Sequence, residues 1–280
     1  MKVKQIIAGA LVLVMGLSMV GCGNSKTSAS GALENEYVRI KQYKNLPIEV
    51  TKDEVTDSDV EQYISSQLET DDGSEAPELT NEKVKELSET STTVEEYKAE
   101  VKKILEDELA SSQDYEKRVN LSAVFSAQLE EIRLPNDKVE MMKKLYSKTY
   151  TDMAENYDLE YEKFCNDVLG MDPEDVAEEI KGYAEEDSLL AAACELIAEK
   201  EGLIPTSNEY TAEFEKIAAQ ENITVADLED KYGKDYLKMV VINQRVFDFL
   251  LENCSVTEVD PDETEAEGTY DENGEYVSVG

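Results

Sequence analysis

Six residues between positions 141 and 157 combine types and spacing suited to binding: Met141, Met142, Tyr146, Tyr150, Met153 and Tyr157. Steps of three and four place most of them on one face of a helix. Thioether chains adapt to many shapes, and phenols offer an apolar ring with a polar tip. The chemistry they could do is non-covalent and tolerant: an apolar surface that accepts varied partners. The same stripe also fits the packed core of a helical arm, and the residues alone leave both readings open.

Catalytic chemistry finds little to work with. The chain has no histidine and no tryptophan. The commonest general base and zinc ligand are therefore missing, and Ser–His or Cys–His nucleophile pairs are impossible. No glycine-rich phosphate loop is present. Carboxylates are so abundant that close pairs are expected by chance. The expectation is a protein that is not an enzyme, with no cofactor and no metal. Cys165, Cys194 and Cys254 fit no metal-binding spacing and cannot all pair within one molecule. They read as small core residues, with one disulfide plus a free thiol as the alternative. The 64 acidic and 27 basic residues give a net charge of −37. Such a surface argues against nucleic acid as a partner and against broad contact with anionic lipid heads.

One cysteine is set apart. Lys2 and Lys4 precede an apolar run from Ile6 to Val20, too short for a comfortable membrane span. The run ends in Gly21 and Cys22, an arrangement that resembles a bacterial lipobox, with Met19 where leucine is usual. The resemblance implies cleavage before Cys22 and attachment of lipid to its thiol and new N-terminus. A membrane-anchored protein on the extracytoplasmic face follows; an ordinary signal peptide with a chance cysteine is the alternative. Residues 1–21 are thus the signal segment and 22–35 a flexible tether. Loss of Lys2 and Lys4 would take the side-chain charge from −37 to −39.

The elements that must position the stripe are helices. Thr93 to Ile132 contains no proline or glycine, begins with a capping box (Thr93 and Glu96), and carries apolar residues at helical spacing. Forty such residues would make a rod about 60 Å long, with a bend or break expected at Ala110–Gln113. Asn136 to Tyr157 is a second helix and Asp158 to Leu169 a third. Asp172 and Pro173 start another, which Gly202 closes. Thr206 with Glu209 and Thr224 with Asp227 are further capping boxes, and Asp235 to Asn253 is the final amphipathic helix. Short β-like pieces, Tyr37–Ile40 and Ile48–Val50, come before them. After Thr257 the chain has nine acidic residues and no lysine or arginine, which reads as a disordered acidic tail over 257–280.

Two stretches carry a family resemblance. YKNLPIEVTKDEVTDSDVEQYISSQLE resembles the segment of trigger factor that leads into its prolyl isomerase domain. APELTNEKVKELSETSTTVEEYKAEVKK is similar to the segment that leaves it and enters the helical C-terminal domain. The FKBP-type barrel expected between them is replaced by a short acidic loop at 71–75. The ribosome-binding domain expected upstream is replaced by the lipoprotein signal. The helix layout from Tyr37 to Cys254, including Leu203-Ile204-Pro205-Thr206, follows the trigger factor C-terminal fold, which SurA-type chaperones share. The resemblance implies a mainly α, elongated chaperone domain with helical arms over 93–256, preceded by a lead-in segment and linker over 36–92. It also implies a holdase whose partners are unfolded or newly secreted proteins. Met141, Met142, Tyr146, Tyr150, Met153 and Tyr157 are then the candidate client-binding residues. A folding factor with residual isomerase activity, and a solute-binding or adhesive lipoprotein, are the competing readings. Oligomeric state is not legible.

Overall fold

Local hydrogen bonding decides where the helices start. The structure, a computed structural model, describes residues 32–68, 77–260, 268–270 and 276–278. The signal segment, most of the tether and the acidic loop at 71–75 lie outside them. In chain order the elements are strands β1 (Leu33–Glu34), β2 (Val38–Ile40) and β3 (Pro47–Thr51), helices α1 (Asp57–Leu68), α2 (Asn81–Leu87) and α3 (Val94–Ser126), then β4 (Leu129–Glu131). Helices α4 (Asn136–Asn156), α5 (Tyr161–Phe164), α6 (Pro173–Glu201), α7 (Ser207–Gln220), α8 (Val225–Tyr232) and α9 (Lys234–Glu252) follow, then β5 (Ser255–Val259), β6 (Gly268–Tyr270) and β7 (Tyr276–Ser278). The fold is mainly α.

The caps explain the helix starts. Thr206 Oγ1 accepts from the Glu209 amide, and the Glu209 carboxylate accepts from the Thr206 amide at 2.8 Å, so two end donors are satisfied reciprocally. Thr224 and Asp227 repeat the arrangement at α8, and Thr93 and Glu96 repeat it at α3. Gly202 ends α6 at φ 72°, a left-handed conformation open to glycine without strain. Glu209 also receives Arg245 from α9 at 2.8 Å. These bonds, with the Thr206 hydroxyl first among them, hold its carboxyl down at about 2. Alanine at Thr206 is expected to cost about 1 kcal/mol, seen as a melting point roughly 2–4 °C lower. An unchanged midpoint would mean that α7 does not depend on its cap.

Four expectations are corrected. The rod does not break at Ala110–Gln113: α3 runs unbroken through it. Ser111 Oγ donates to the Asp107 carbonyl at 2.9 Å, one turn back, which accommodates serine inside a helix. The rod also stops before Ile132. Leu129–Glu131 leaves the helix and pairs antiparallel with β2, Leu129 facing Ile40. Finally, the segment after Thr257 is not wholly without structure. Thr257–Val259 lies in β5, which pairs with β3, and β6 pairs antiparallel with β7. At the other end, Leu33 and Glu34, placed in the tether by the sequence, form β1 against β2.

By contacts the chain divides into two compact units, and the division falls within α3. One unit comprises 48–120 and 256–280. Its core is Val60, Ile64 and Leu68 of α1, Val84 of α2, and Tyr97 and Val101 of α3. The i, i+4 spacing on α1 and α3 gives each helix one apolar edge. The other unit comprises, of the described residues, 32–47 and 121–255 and holds the β1–β2–β4 sheet with α4 to α9. Two of its helix clusters share α9. Val139 and Met142 of α4 meet Ala184 and Ala191 of α6 and Tyr236, Met239 and Val240 of α9. Phe214, Ile217 and Ala218 of α7 meet Leu228 of α8 and Leu237 and Val241 of α9. Cys165 and Cys194 are buried and Cys254 half-buried, all three as free thiols.

Candidate functional site

The stripe on α4 is divided by what covers it. Four residues spaced by four, Lys138, Met142, Tyr146 and Tyr150, run along one face of the helix. Lys138 pairs with Glu195 of α6 at 2.7 Å, and the Tyr146 hydroxyl donates to the Asp187 carboxyl of α6. High numbers on α6 thus meet low numbers on α4, and the two helices run antiparallel. Between those two links the Ser188 hydroxyl lies 3.4 Å from the Met142 sulfur. On α6 the facing positions are Ala184, Asp187, Ser188 and Ala191, short side chains that let α4 approach closely.

Met142, only 1% exposed, is therefore core. Tyr146 packs beside it, and Tyr150 packs with Tyr161, Leu169 and Met171 around Cys165, Val176 and Ile180. Burial raises both phenols above their ordinary value. Of the three, Met142 is not available on the surface, while Tyr146 and Tyr150 are half-buried where α6 and the following turn pack against that part of the stripe. Met153 and Tyr157 continue the stripe beyond the cover and are 39% and 56% exposed. The turn after them returns through α5 and a single π-helical turn, Cys165–Leu169, closed by Gly170 at φ 68°. Tyr157 meets Phe164 with ring centroids 5.6 Å apart. Val168, one turn beyond Phe164, is 42% exposed. Sequence reading missed Val168; its signal was a large aliphatic residue among Asn166, Asp167 and Gly170.

Met141 faces elsewhere. With Met239, Ile242 and Tyr210 it lines an open cleft of about 510 Å³ bounded by α4, α6, α7 and α9. Lys138, Lys238, Asp137, Glu195 and Asp235 share that lining. Four apolar or aromatic side chains thus share the lining with five charged ones. Among the described residues no three Cys, Asp or Glu side chains are placed to hold a metal ion. What this geometry can do is adsorb apolar groups, at the end of α4 and in the cleft.

The comparisons with known proteins agree with this layout. The model of the bacterial trigger factor protein C-terminus matches residues 93–252, from the cap of α3 to the end of α9. The chain belongs to the trigger factor C-terminal family. It is 26% identical over 196 residues to a trigger factor of Staphylococcus saprophyticus, covering 69% of this chain and 44% of that protein. With a trigger factor of Lysinibacillus sphaericus the identity is 28% over 189 residues, or 65% and 42% of the two chains. A trigger factor of Caldicellulosiruptor saccharolyticus gives 26% over 187 residues. The chain thus spans less than half the length of the trigger factors it matches. Within the family match lie the whole of α4, its cover α6, and the exposed end formed by Met153, Tyr157 and Val168.

Proposed function

We propose that this protein is a holdase chaperone, anchored by lipid on Cys22 to the extracytoplasmic face of the membrane. Its clients are unfolded or newly secreted proteins. The observation that carries the reading is the uncovered apolar end of α4 in a chain of the trigger factor C-terminal family. Met153 and Tyr157 leave apolar surface open there, which a client could cover. The acidic excess keeps such a protein soluble while those groups stay open. Among the described residues no helix is long and apolar enough to cross a membrane, and the anchoring reading rests on Lys2 and Lys4, the apolar run Ile6 to Val20 and the Gly21–Cys22 motif. Prolyl isomerase activity is not part of the proposal, since the sequence between α1 and α3 is too short for a barrel.

The test has two arms. Cells expressing Cys22→Ala are fractionated; the reading expects the protein to leave the membrane fraction unprocessed, and normal processing with membrane retention would sink the anchor. The purified mature chain is mixed with reduced insulin, and light scattering follows aggregation. Suppression at near-stoichiometric ratios is expected, and none would sink the holdase. A protease-coupled peptide assay on the same preparation should show X-Pro isomerisation at background.

A further inference from the structure

The seam between α4 and α6 contains an acid that the function above does not use. Asp187 is buried on α6 amid alanine, serine and apolar side chains, and it faces the Tyr146 hydroxyl across the seam. A carboxylate has about four lone-pair sites to satisfy, and a phenol supplies one donor. The titratable groups around Asp187 are Tyr146 from α4, Tyr236 from α9 and Glu186 on α6 itself. None carries positive charge. No lysine or arginine forms an ion pair with Asp187 among the described residues. The polar links on either side of it do not compensate. Lys138–Glu195 lies about two turns away along α6, and Ser188–Met142 is a weak sulfur contact.

We propose that Asp187 and Tyr146 form a proton-operated latch between α4 and α6, closed with the carboxyl protonated and loosened with it ionised. Burial pushes the Asp187 carboxyl up to about 7, against the opposing pull of the Tyr146 hydrogen bond. The sign follows from linkage. A carboxyl that holds its proton more tightly in the closed seam than in water stabilises the closed form most at low pH. That contribution fades as pH rises from the ordinary carboxylate value through about 7, then stays constant. Loosening the seam uncovers Val139, Met142 and Tyr146, the covered part of the Met/Tyr stripe. Because α6 contributes mainly alanines here, nearly all the adaptable apolar surface released belongs to α4. The consequence for clients rests on the holdase reading; the latch itself does not.

Hydrogen exchange of the full mature chain tests the latch without any client. Peptides from Asn136–Asn156 are followed at pH 5.5 and 7.5, corrected for intrinsic exchange. Wild-type protection of α4 should fall by roughly twentyfold more than in Asp187→Asn, which keeps the hydrogen bond and cannot ionise. Parallel pH trends in the two proteins would overturn the latch. Tyr146→Phe removes the donor that favours the ionised form, so its window should move to higher pH. An unmoved window would also count against the latch. Suppression of reduced-insulin aggregation at pH 7.5 is the separate readout, where Asp187→Asn should be weaker than wild type. If exchange shows the latch and suppression is equal, the latch stands and clients bind only outside the covered stripe.

Discussion

Alanine at Met142 is expected to destabilise the unit built on α4, α6 and α9 by about 2–5 kcal/mol, the range for truncating a buried methionine. Met142 is 1% exposed, packs with Val139, Ala184, Ala191 and Met239, and receives the Ser188 hydroxyl at its sulfur. Truncation leaves a cavity at the closest part of the α4–α6 seam. The facing residues are already alanine and serine, so they have no length with which to fill it. The cost should therefore lie above the middle of that range. Thermal unfolding followed by circular dichroism should show a midpoint lower by roughly 8–15 °C. A shift below about 2 °C would mean that Met142 is not core in solution and that the stripe is open along its whole length. The same reasoning changes what simultaneous replacement of Met142, Tyr146, Tyr150 and Met153 by serine would report. That variant is expected to unfold, and its loss of activity would say nothing about clients.

What the sequence could and could not reveal follows from how far each interaction reaches. Thr93–Glu96, Thr206–Glu209, Thr224–Asp227 and Gly202 act within one turn, so their types and spacing were enough to place the helix ends. Leu129–Glu131 looked helical because its strand partner, Val38–Ile40, lies about ninety residues away. Ala110–Gln113 looked weak because isolated serines disfavour helix, yet the Ser111 hydroxyl finds a carbonyl within the helix itself. The Met/Tyr stripe was legible as a face, since periodicity alone defines a face. Where its cover ends was not. That depends on α6 running antiparallel from its contact with Tyr146 to its contact with Lys138, and on α5, which sets Phe164 against Tyr157. Asp187 was hidden for the opposite reason. In a chain with 64 acidic residues one more aspartate attracts no notice. Its position between Ile180, Ala184, Ala191 and Cys194, on the apolar face of α6, was the signal available.

Serine at Met153, Tyr157 and Val168 together is expected to remove most suppression of reduced-insulin aggregation while leaving the fold in place. About half of each side chain is open to solvent, at 39%, 56% and 42%. Covering the exposed part of one such side chain contributes roughly 1 kcal/mol, so losing three should weaken a client by roughly a hundredfold. By the same measure the covered halves contribute a similar amount to folding, so the midpoint should fall by several degrees with the helices intact. The Tyr157 ring on Phe164 adds about 0.5–1.5 kcal/mol to that. Tyr157→Leu in an otherwise native chain separates the two effects: it loses the aromatic contact but keeps an apolar surface, and should retain most suppression. Light scattering and thermal unfolding on the same preparations decide the matter. If the triple variant is unfolded at the assay temperature, those residues are structural and the end of α4 is not a client surface. If it stays folded and fully active, binding lies elsewhere. The cleft lined by Met141, Tyr210, Met239 and Ile242 is then the next surface to substitute, ahead of the singly exposed Ile132 and Ile204.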